Sequence, residues 1–425
     1  MPRIAFASVG CKLNRYEIQV MSESLRPYDF ATVPFSQTAD CYVVNTCSVT
    51  GDADLSSRRL IRRARRRNPA AKVIVTGCYA QLRPDEIGKL DVDAVIPNRD
   101  KEKLPRIVLR IFDIDRNETE LSDSSIISGM QGMTRAFVKI QDGCDEQCSF
   151  CAIWMARGPV RSRPANLIID EINNLAANGY KEVALTGVHI GKYSDGKYDF
   201  IGLLKELVDK TSISRIRLSS LNPTELTEDL IDLLKSTPKI CPHVHLSIQS
   251  GDDRILKAMG RKYAREDIIV ITDHLIASVP NITIGGDFIA GFPGETIEAF
   301  ENTKHLIETG NLYHLHVFPY SDRPGTKALL MAKKIPPEEK AGRTAILRDI
   351  GRINRIKHLE SFIGRKLQVL FENRKHREIM TGLSENYLRV DARFNGGWLG
   401  RIVDVIPNGI NGEHLIIRDV AQDNP

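Results

Sequence analysis

Short apolar runs alternate with amphipathic stretches over the first 115 or so residues, and the runs end alike. RIAFASVG (3–10), CYVVNT (41–46) and AKVIVTG (71–77) read as strands. Helical spacing follows in KLNRYEIQVMSESL (12–25), a second helix starts near Asp52, and Arg83-Pro84-Asp85 marks a third start. The pattern predicts an open parallel α/β sheet. Residues 109–133 lose periodicity, gain Ser, Asp and Gly, and read as a linker. The β/α alternation then resumes with six strand candidates: AFVKI (136–140), EVALTG (182–187), RIRLSS (215–220), HVHLSI (243–248), ITIGGDFIAG (282–291) and HLHVFPYS (314–321). Six such units curl into an incomplete (β/α)6 barrel, with functional groups expected at the strands' C-terminal ends.

After a helical, basic connector (338–362) the pattern changes again. KLQVLFE, EIMTGLS, YLRVDARF, GRIVDVIP and HLIIRDV alternate in the β manner between turn clusters at Asn395-Gly396-Gly397 and Asn408-Gly409. They predict a small five-stranded OB-like barrel, a fold that commonly binds nucleic acid. The expected domains are therefore 1–115, 130–360 and 361–425.

Charge adds one feature. The net charge is only +5, from 59 basic and 54 acidic residues, yet RRLIRRARRRN (58–68) holds seven arginines. On a helix Leu60, Ile61 and Ala64 supply its narrow apolar side. So dense a charge repels itself unless neutralised, which favours phosphate contact over a merely solvated face. No apolar stretch is long enough to span a bilayer, and the N-terminus lacks the apolar core of a signal peptide. A cytoplasmic protein is expected, its eight cysteines reduced.

Six cysteines fall into two sets of three. Cys144, Cys148 and Cys151 lie in one loop, GCDEQCSFC, directly after the first barrel strand. A structural zinc site would want four ligands, and the loop offers no fourth Cys or His. Three thiolates on a four-iron cluster leave one iron open, a place where S-adenosylmethionine can be chelated and reduced to a carbon radical. Cys11, Cys47 and Cys78 each end a strand of the N-terminal sheet, so they converge on one edge despite their separation in sequence. Helix N-termini at that edge would favour a negatively charged cluster. Cys41 and Cys241 read as packing cysteines. The His-x-His pairs of HVHLSI and HLHVF put both rings on one strand face; with no third ligand in view, barrel packing is favoured over zinc.

The triad loop, with Phe150 before its third cysteine, resembles the radical S-adenosylmethionine superfamily. Together with GCKLNRYE, VVNTCSVT, TGCYAQ, GFPGET and HVFPYSDRPGT, in this order and with a terminal β domain, it resembles the methylthiotransferases over nearly the whole chain. GCKLNRYE (10–17) and LTGVHIGKY (185–193) are similar to the subgroup acting on threonylcarbamoyladenosine in tRNA. The alternatives are the isopentenyladenosine subgroup, with Gln after the first cysteine, and the ribosomal-protein subgroup, with Pro-Lys; Lys12-Leu13 fits neither. A different class, a non-catalytic iron–sulfur RNA-binding protein, would need no open iron.

The resemblance implies two 4Fe-4S clusters, one on each triad, and a C-terminal TRAM domain that binds RNA. S-adenosylmethionine would be held by Phe150 on the adenine, Thr186 and Gly187 at the methionine amino group, Ser247, Gln249 and Arg261 at the ribose and carboxylate, and Gly291 and Gly294 beside the adenine. Arg157, Arg161 and Arg163 are candidates for tRNA phosphate or the threonyl carboxylate. Implied partners are tRNA, an electron donor such as flavodoxin or ferredoxin, and a sulfur source; a monomer is expected.

Overall fold

The computed structural model describes residues 1–114, 126–376 and 378–417. The middle of the expected linker and the end of the last expected strand lie outside them. Five parallel strands, β1 (Arg3–Ser8), β2 (Ala31–Val33), β3 (Cys41–Thr46), β4 (Lys72–Gly77) and β5 (Ala94–Val95), form the first sheet in the order β2-β1-β3-β4-β5. Helices α1 (Lys12–Ser24), α2 (Gly51–Arg67), α3 (Cys78–Leu82), α4 (Pro84–Gly88) and α5 (Leu104–Ile111) connect and cover it. Side chains alternate along each strand, so both faces are apolar. Ile4, Val43 and Ile74 meet Met21, Leu104 and Val108 on one face; Ala5, Tyr42, Val44 and Val75 meet Ile61 and Ala64 of α2 on the other.

All six barrel strands form where the pattern places them. After β6 (Ala136–Lys139) a short antiparallel pair, β7 (Gln141–Asp142) and β8 (Arg161–Ser162), brackets the triad loop. There follow β9 (Glu182–Thr186), β10 (Arg215–Leu218), β11 (His243–Gln249), β12 (Thr283–Ala290) and β13 (His314–Pro319). They make two parallel sheets, β6-β9-β10 and β11-β12-β13, joined at the bridges Ile216–Ile240 and Leu221–Leu246. Among the described residues no strand pair joins β13 to β6, so the barrel is open. Eight helices belong to this region: α6 (Ile153–Arg157), α7 (Ala165–Ala177), α8 (Phe200–Lys210), α9 (Glu228–Ser236), α10 (Asp253–Met259), α11 (Arg265–Ser278), α12 (Ile297–Thr309) and the long α13 (Pro337–Glu360). Its core gathers Val138, Leu185, Ile216, Leu246, Ile284 and Phe288, all fully buried or nearly so.

All five strands expected in the C-terminal region form, and a sixth joins them. Among the described residues six strands lie here and do not close into a barrel: β14 (Leu367–His376), β15 (Ile379–Ser384), β16 (Arg389–Arg393), β17 (Ile402–Val405), β18 (Gly409–Asn411) and β19 (His414–Ile417), in the order β17-β14-β15-β16-β19-β18. Gly409, read as a turn residue, begins β18, which pairs with β19 as a hairpin. This sheet seals the end of the barrel where the strands begin. Arg217 pairs with both oxygens of Glu182 at 2.8 and 3.1 Å and donates to the carbonyls of Ser384 and Glu385, each at 3.0 Å. Arg135 pairs with Glu372 at 2.7 Å, and Tyr387 stacks on His243 with ring centroids 4.1 Å apart.

Candidate metal centres at two cysteine triads

The N-terminal triad is assembled by three adjacent strands. β1, β3 and β4 run in register, Ser8 beside Asn45 and Thr46 beside Gly77, so the residues just past each strand emerge at one edge. Cys11 caps α1 and is exposed; Cys47 comes directly after β3 and Cys78 opens α3, both buried. Gly10 makes the approach possible. Its φ is +91°, and a Cβ there would lie 2.6 Å from Cys47 Sγ. Burial, reinforced by the neighbouring Cys78, pushes the Cys47 thiol up to about 12, and burial raises Cys78 as well.

The second triad hangs from the β7–β8 pair, where the Cys144 N–H donates to the Gly158 carbonyl at 3.0 Å and the Cys151 N–H to the Cys148 carbonyl at 3.1 Å. Each sulfur has a polar neighbour. His189 Nδ1 lies 3.7 Å from Cys144 Sγ, Arg261 Nη1 donates to Cys148 Sγ at 3.3 Å, and the Ile153 N–H to Cys151 Sγ at 3.4 Å. His189 is held in turn by Glu225 and by Asn222 at 2.8 Å. Burial alone would lower its pKa, but the contacts to Cys144 and Glu225 raise it to about 9. Burial pushes Cys151 up to about 12.

Both triads fit iron–sulfur clusters better than single ions. Sulfurs around one tetrahedral zinc stand about 3.8 Å apart, given a Zn–S bond near 2.3 Å. Among the described residues only one group of three ligating side chains has all its ligand atoms within 4.8 Å of one another, and it contains no cysteine. Neither triad forms such a group, and three thiols at each site match a four-iron cluster with one iron left open.

The residues expected around the cofactor gather at the edge that carries the second triad. Thr186 ends β9, its carbonyl accepting from the Ile140 N–H at 2.9 Å. A Cβ on Gly187 would lie 2.8 Å from the Gln141 carbonyl and side-chain oxygens. At the end of β11, the Ser247 carbonyl accepts from Arg261 Nη2 at 2.8 Å, and Gln249 takes a φ of +74°. Arg261 also bonds Tyr263 and Asn222. Gly291 and Gly294 turn the chain with φ of +74° and +85°, and the stem of Lys340 fills the space of the missing Gly291 side chain. Phe150 packs at the border of a cluster that includes Met259, Phe292 and Tyr320.

The three arginines after the triad part company. Arg161 is exposed. Arg163 turns inward, to Glu171 at 2.6 Å and the Lys139 carbonyl at 2.7 Å. Arg157 is buried between the triads: Nη1 reaches Glu17 at 2.9 Å and Asp142 at 3.0 Å, and Nη2 reaches Asn14 at 2.6 Å. Asn14 and Glu17 belong to the helix that Cys11 caps, and Asp142 precedes the Cys144 loop. Lys101 joins through Glu17, and Lys139 lies 3.8 Å from Asp142. Arg157 is thus answered by groups of the protein itself, which leaves Arg161 as the exposed member. Three cations face two carboxylates, and the surplus positive charge lies near the thiols of Cys78 and Cys11.

Asn14, Glu17 and His189 lie within GCKLNRYE and LTGVHIGKY, yet the sequence alone assigns them no role; their polar character inside otherwise helical or strand-ending motifs is the available signal. Cys41 and Cys241 are buried, as packing cysteines would be. The His-x-His pairs do find a third group, however: Asp287 accepts from both His245 and His316.

Comparison with known proteins agrees with this geometry. The Radical SAM superfamily profile matches residues 138–307, and uncharacterized protein family UPF0004 matches residues 3–97. A threonylcarbamoyladenosine tRNA methylthiotransferase MtaB of Aquifex aeolicus is 38% identical, over 91% of this chain and 96% of its own. The protein of that name from Thermotoga maritima is 34% identical over 98% and 96%. A tRNA-2-methylthio-N(6)-dimethylallyladenosine synthase of Endomicrobium trichonymphae is 32% identical over 94% and 95%. Among solved structures, the radical S-adenosylmethionine methyltransferase TsrM of Kitasatospora setae shares the fold, with a TM-score of 0.56 at 16% identity over 78% of this chain and 77% of that one.

Proposed function

The chain belongs to the tRNA methylthiotransferases of the radical S-adenosylmethionine superfamily, and from that premise we propose that it replaces the hydrogen on carbon 2 of N6-threonylcarbamoyladenosine, beside the anticodon, with a methylthio group. The observation that carries the reading is the pair of three-thiol sites, tied to one another by the Arg157 network. When bound, a 4Fe-4S cluster with S-adenosylmethionine at Cys144, Cys148 and Cys151 supplies a carbon radical, and a second at Cys11, Cys47 and Cys78 supplies sulfur. That pairing suits the reaction, because a hydrogen on an aromatic carbon is not removable by acid–base chemistry at neutral pH.

The protein's own side chains orient and balance these sites. Arg261 and His189 place donors at Cys148 and Cys144, and Arg157 joins the helix capped by Cys11 to the strand before Cys144. Thr186, Gly187, Ser247, Gln249, Gly291 and Gly294, with Phe150, are the proposed S-adenosylmethionine contacts, and Arg161 and Arg163 the remaining arginines after the triad. The threonylcarbamoyl base is favoured because the relatives of higher identity bear that name. An electron donor such as flavodoxin or ferredoxin and a sulfur source complete the set, in the cytoplasm; among the described residues no helix is long and apolar enough to cross a membrane.

Affinity for tRNA is assigned to the C-terminal sheet and to α2. Of the α2 arginines, Arg58 is taken by Tyr79, Arg65 by Asp91 and Asp93, and Arg67 by the Phe35 carbonyl. Arg59, Arg62, Arg63 and Arg66 are exposed and make no ion pair among the described residues. Changing these four to Gln is expected to lower tRNA affinity and flatten its salt dependence by roughly one unit of log–log slope per lost phosphate contact. An identical slope in variant and parent would make α2 a solvated face only.

The reading as a whole is tested by offering reconstituted enzyme tRNA carrying threonylcarbamoyladenosine, isopentenyladenosine or plain adenosine. Product 2-methylthio nucleoside is expected from the first; product from isopentenyladenosine alone would overturn the choice of base.

A further inference from the structure

The barrel lumen holds a cluster of ligating side chains that the proposed reaction does not use. His245 of β11, Asp287 of β12 and His316 of β13 stand on three adjacent parallel strands. Side chains alternate along a strand, and the intervening Val244, Leu246, Ile284, Phe288 and Val317 belong to the apolar core, so the three polar residues share the opposite, inner face. Register brings them together. Asp287 and His316 are direct neighbours across β12 and β13, while His245 sits opposite Gly285. A Cβ on Gly285 would lie 2.4 Å from His245 Nδ1, so the glycine is what lets the imidazole lie over β12 and reach Asp287.

The ligand atoms converge on one point. Asp287 Oδ1 is 2.9 Å from His245 Nε2 and 3.1 Å from His316 Nδ1, and one ligand atom from each of the three residues lies within 4.8 Å of the others. Donors held about 2.0–2.1 Å from one ion stand roughly 2.9 Å apart in octahedral and roughly 3.3 Å apart in tetrahedral geometry, so both observed separations need little adjustment. A hydrogen-bonded trio would have similar distances, but it would leave a charge unanswered. Among the described residues Asp287 pairs with no lysine or arginine, only with the two rings, which are uncharged when neutral; a divalent ion supplies the missing charge. The exposure is graded to match. The His245 side chain is 8% exposed, Asp287 23% and His316 48%, so protein closes one side of the trio and the other is open, as in three-ligand sites that keep a position for a further donor. A fourth imidazole, His314, has its ring centroid 5.0 Å from that of His316 but is engaged by Arg355 at 3.1 Å, so the protein set stops at three.

We infer that His245, Asp287 and His316 form a divalent metal site, separate from both cysteine triads, whose open positions take water or an oxygen donor of a molecule bound in the lumen. Two imidazole nitrogens and one carboxylate oxygen suit late first-row divalent ions, and for a given ligand set zinc binds more tightly than ferrous iron. Zinc is therefore the expected ion. The site stands whichever base the enzyme modifies.

The test counts metals on the holoprotein. Full-length protein carrying both reconstituted clusters, so that the six cluster cysteines are engaged, is brought to equilibrium by dialysis against a series of zinc concentrations, and bound zinc and iron are measured by elemental analysis. One zinc per chain is expected beside the cluster iron. His245→Ala, Asp287→Asn and His316→Ala are each expected to weaken its binding about 100-fold or more, since losing an outer-shell partner alone costs about 10–100-fold. His316→Ala changes a half-exposed side chain and so reports on the site even where a more buried variant fails to fold; iron content and the denaturation midpoint check folding. X-ray absorption at the zinc edge should show nitrogen and oxygen neighbours only. No bound zinc, zinc with sulfur neighbours, or zinc held by the folded variants as tightly as by the parent would overturn the inference.

Discussion

Replacing Cys11, Cys47 and Cys78 together by Ala is expected to halve the iron bound per chain, from about eight to about four, and to abolish the methylthio product while 5′-deoxyadenosine still forms. The complementary replacement of Cys144, Cys148 and Cys151 should halve the iron as well, but stop cleavage of S-adenosylmethionine altogether. The asymmetry follows from where the sites lie. Each triad is built by its own elements, three parallel strand ends in one case and a loop bracketed by β7 and β8 in the other, so either can be removed without dismantling its partner. Iron analysis with product chromatography separates the outcomes. Full iron in the N-terminal variant would remove the second cluster from the account.

Arg157→Ala is expected to destabilise the cluster-free protein by about 3–5 kcal/mol, since it removes the one cation in direct contact with both buried carboxylates, Glu17 and Asp142. Both carboxyls are held below their usual range, with Arg157 the foremost of the cations that oppose their burial. Glu17 keeps Lys101 in the variant, whereas Asp142 keeps only the more distant contacts to Lys101 at 3.9 Å and Lys139 at 3.8 Å. The loss should therefore be felt most at the strand that leads into Cys144. Urea denaturation of the two proteins checks the magnitude; a change below about 0.5 kcal/mol, the scale of an ordinary surface substitution, would contradict the network's structural weight. Arg157→Lys should fall between, because an ammonium cannot reach Glu17, Asp142 and Asn14 at once.

The elements that carry the two triads are legible in the sequence because their signals are local. Strands such as EVALTG and AKVIVTG are dense apolar runs, and parallel order makes their C-terminal ends share an edge, so the meeting of Cys11, Cys47 and Cys78 follows from topology alone. Arg157 is not legible. In RGPVRSR it reads as a candidate for tRNA phosphate or the threonyl carboxylate, and its partners Asn14 and Glu17 lie some 140 residues away on another sheet's helix. Phe150 and the strand-end glycines are placed by their motifs, but the space beside Gly291 is filled by Lys340 of α13, again a distant partner. The C-terminal sheet shows the same limit. Its strands alternate visibly, yet β18 is three residues long, and nothing in the alternation says that Ser384, Glu385 and Tyr387 seal the barrel over Arg217 and His243. Deleting residues 363–425 would therefore expose buried charges as well as remove the surface proposed to bind RNA, so substitutions on α2 are the cleaner probe of tRNA affinity.

Whether the two cysteine triads together place a methylthio group on a tRNA base is decided by nucleoside mass analysis of tRNA from cells lacking this protein, complemented with the parent or with the Cys11, Cys47 and Cys78 variant. Threonylcarbamoyladenosine without its 2-methylthio derivative is expected in the deletion and in the variant, with the derivative restored by the parent alone. An unchanged level of the 2-methylthio nucleoside in the deletion, or its full restoration by the variant, would contradict that role for the triads.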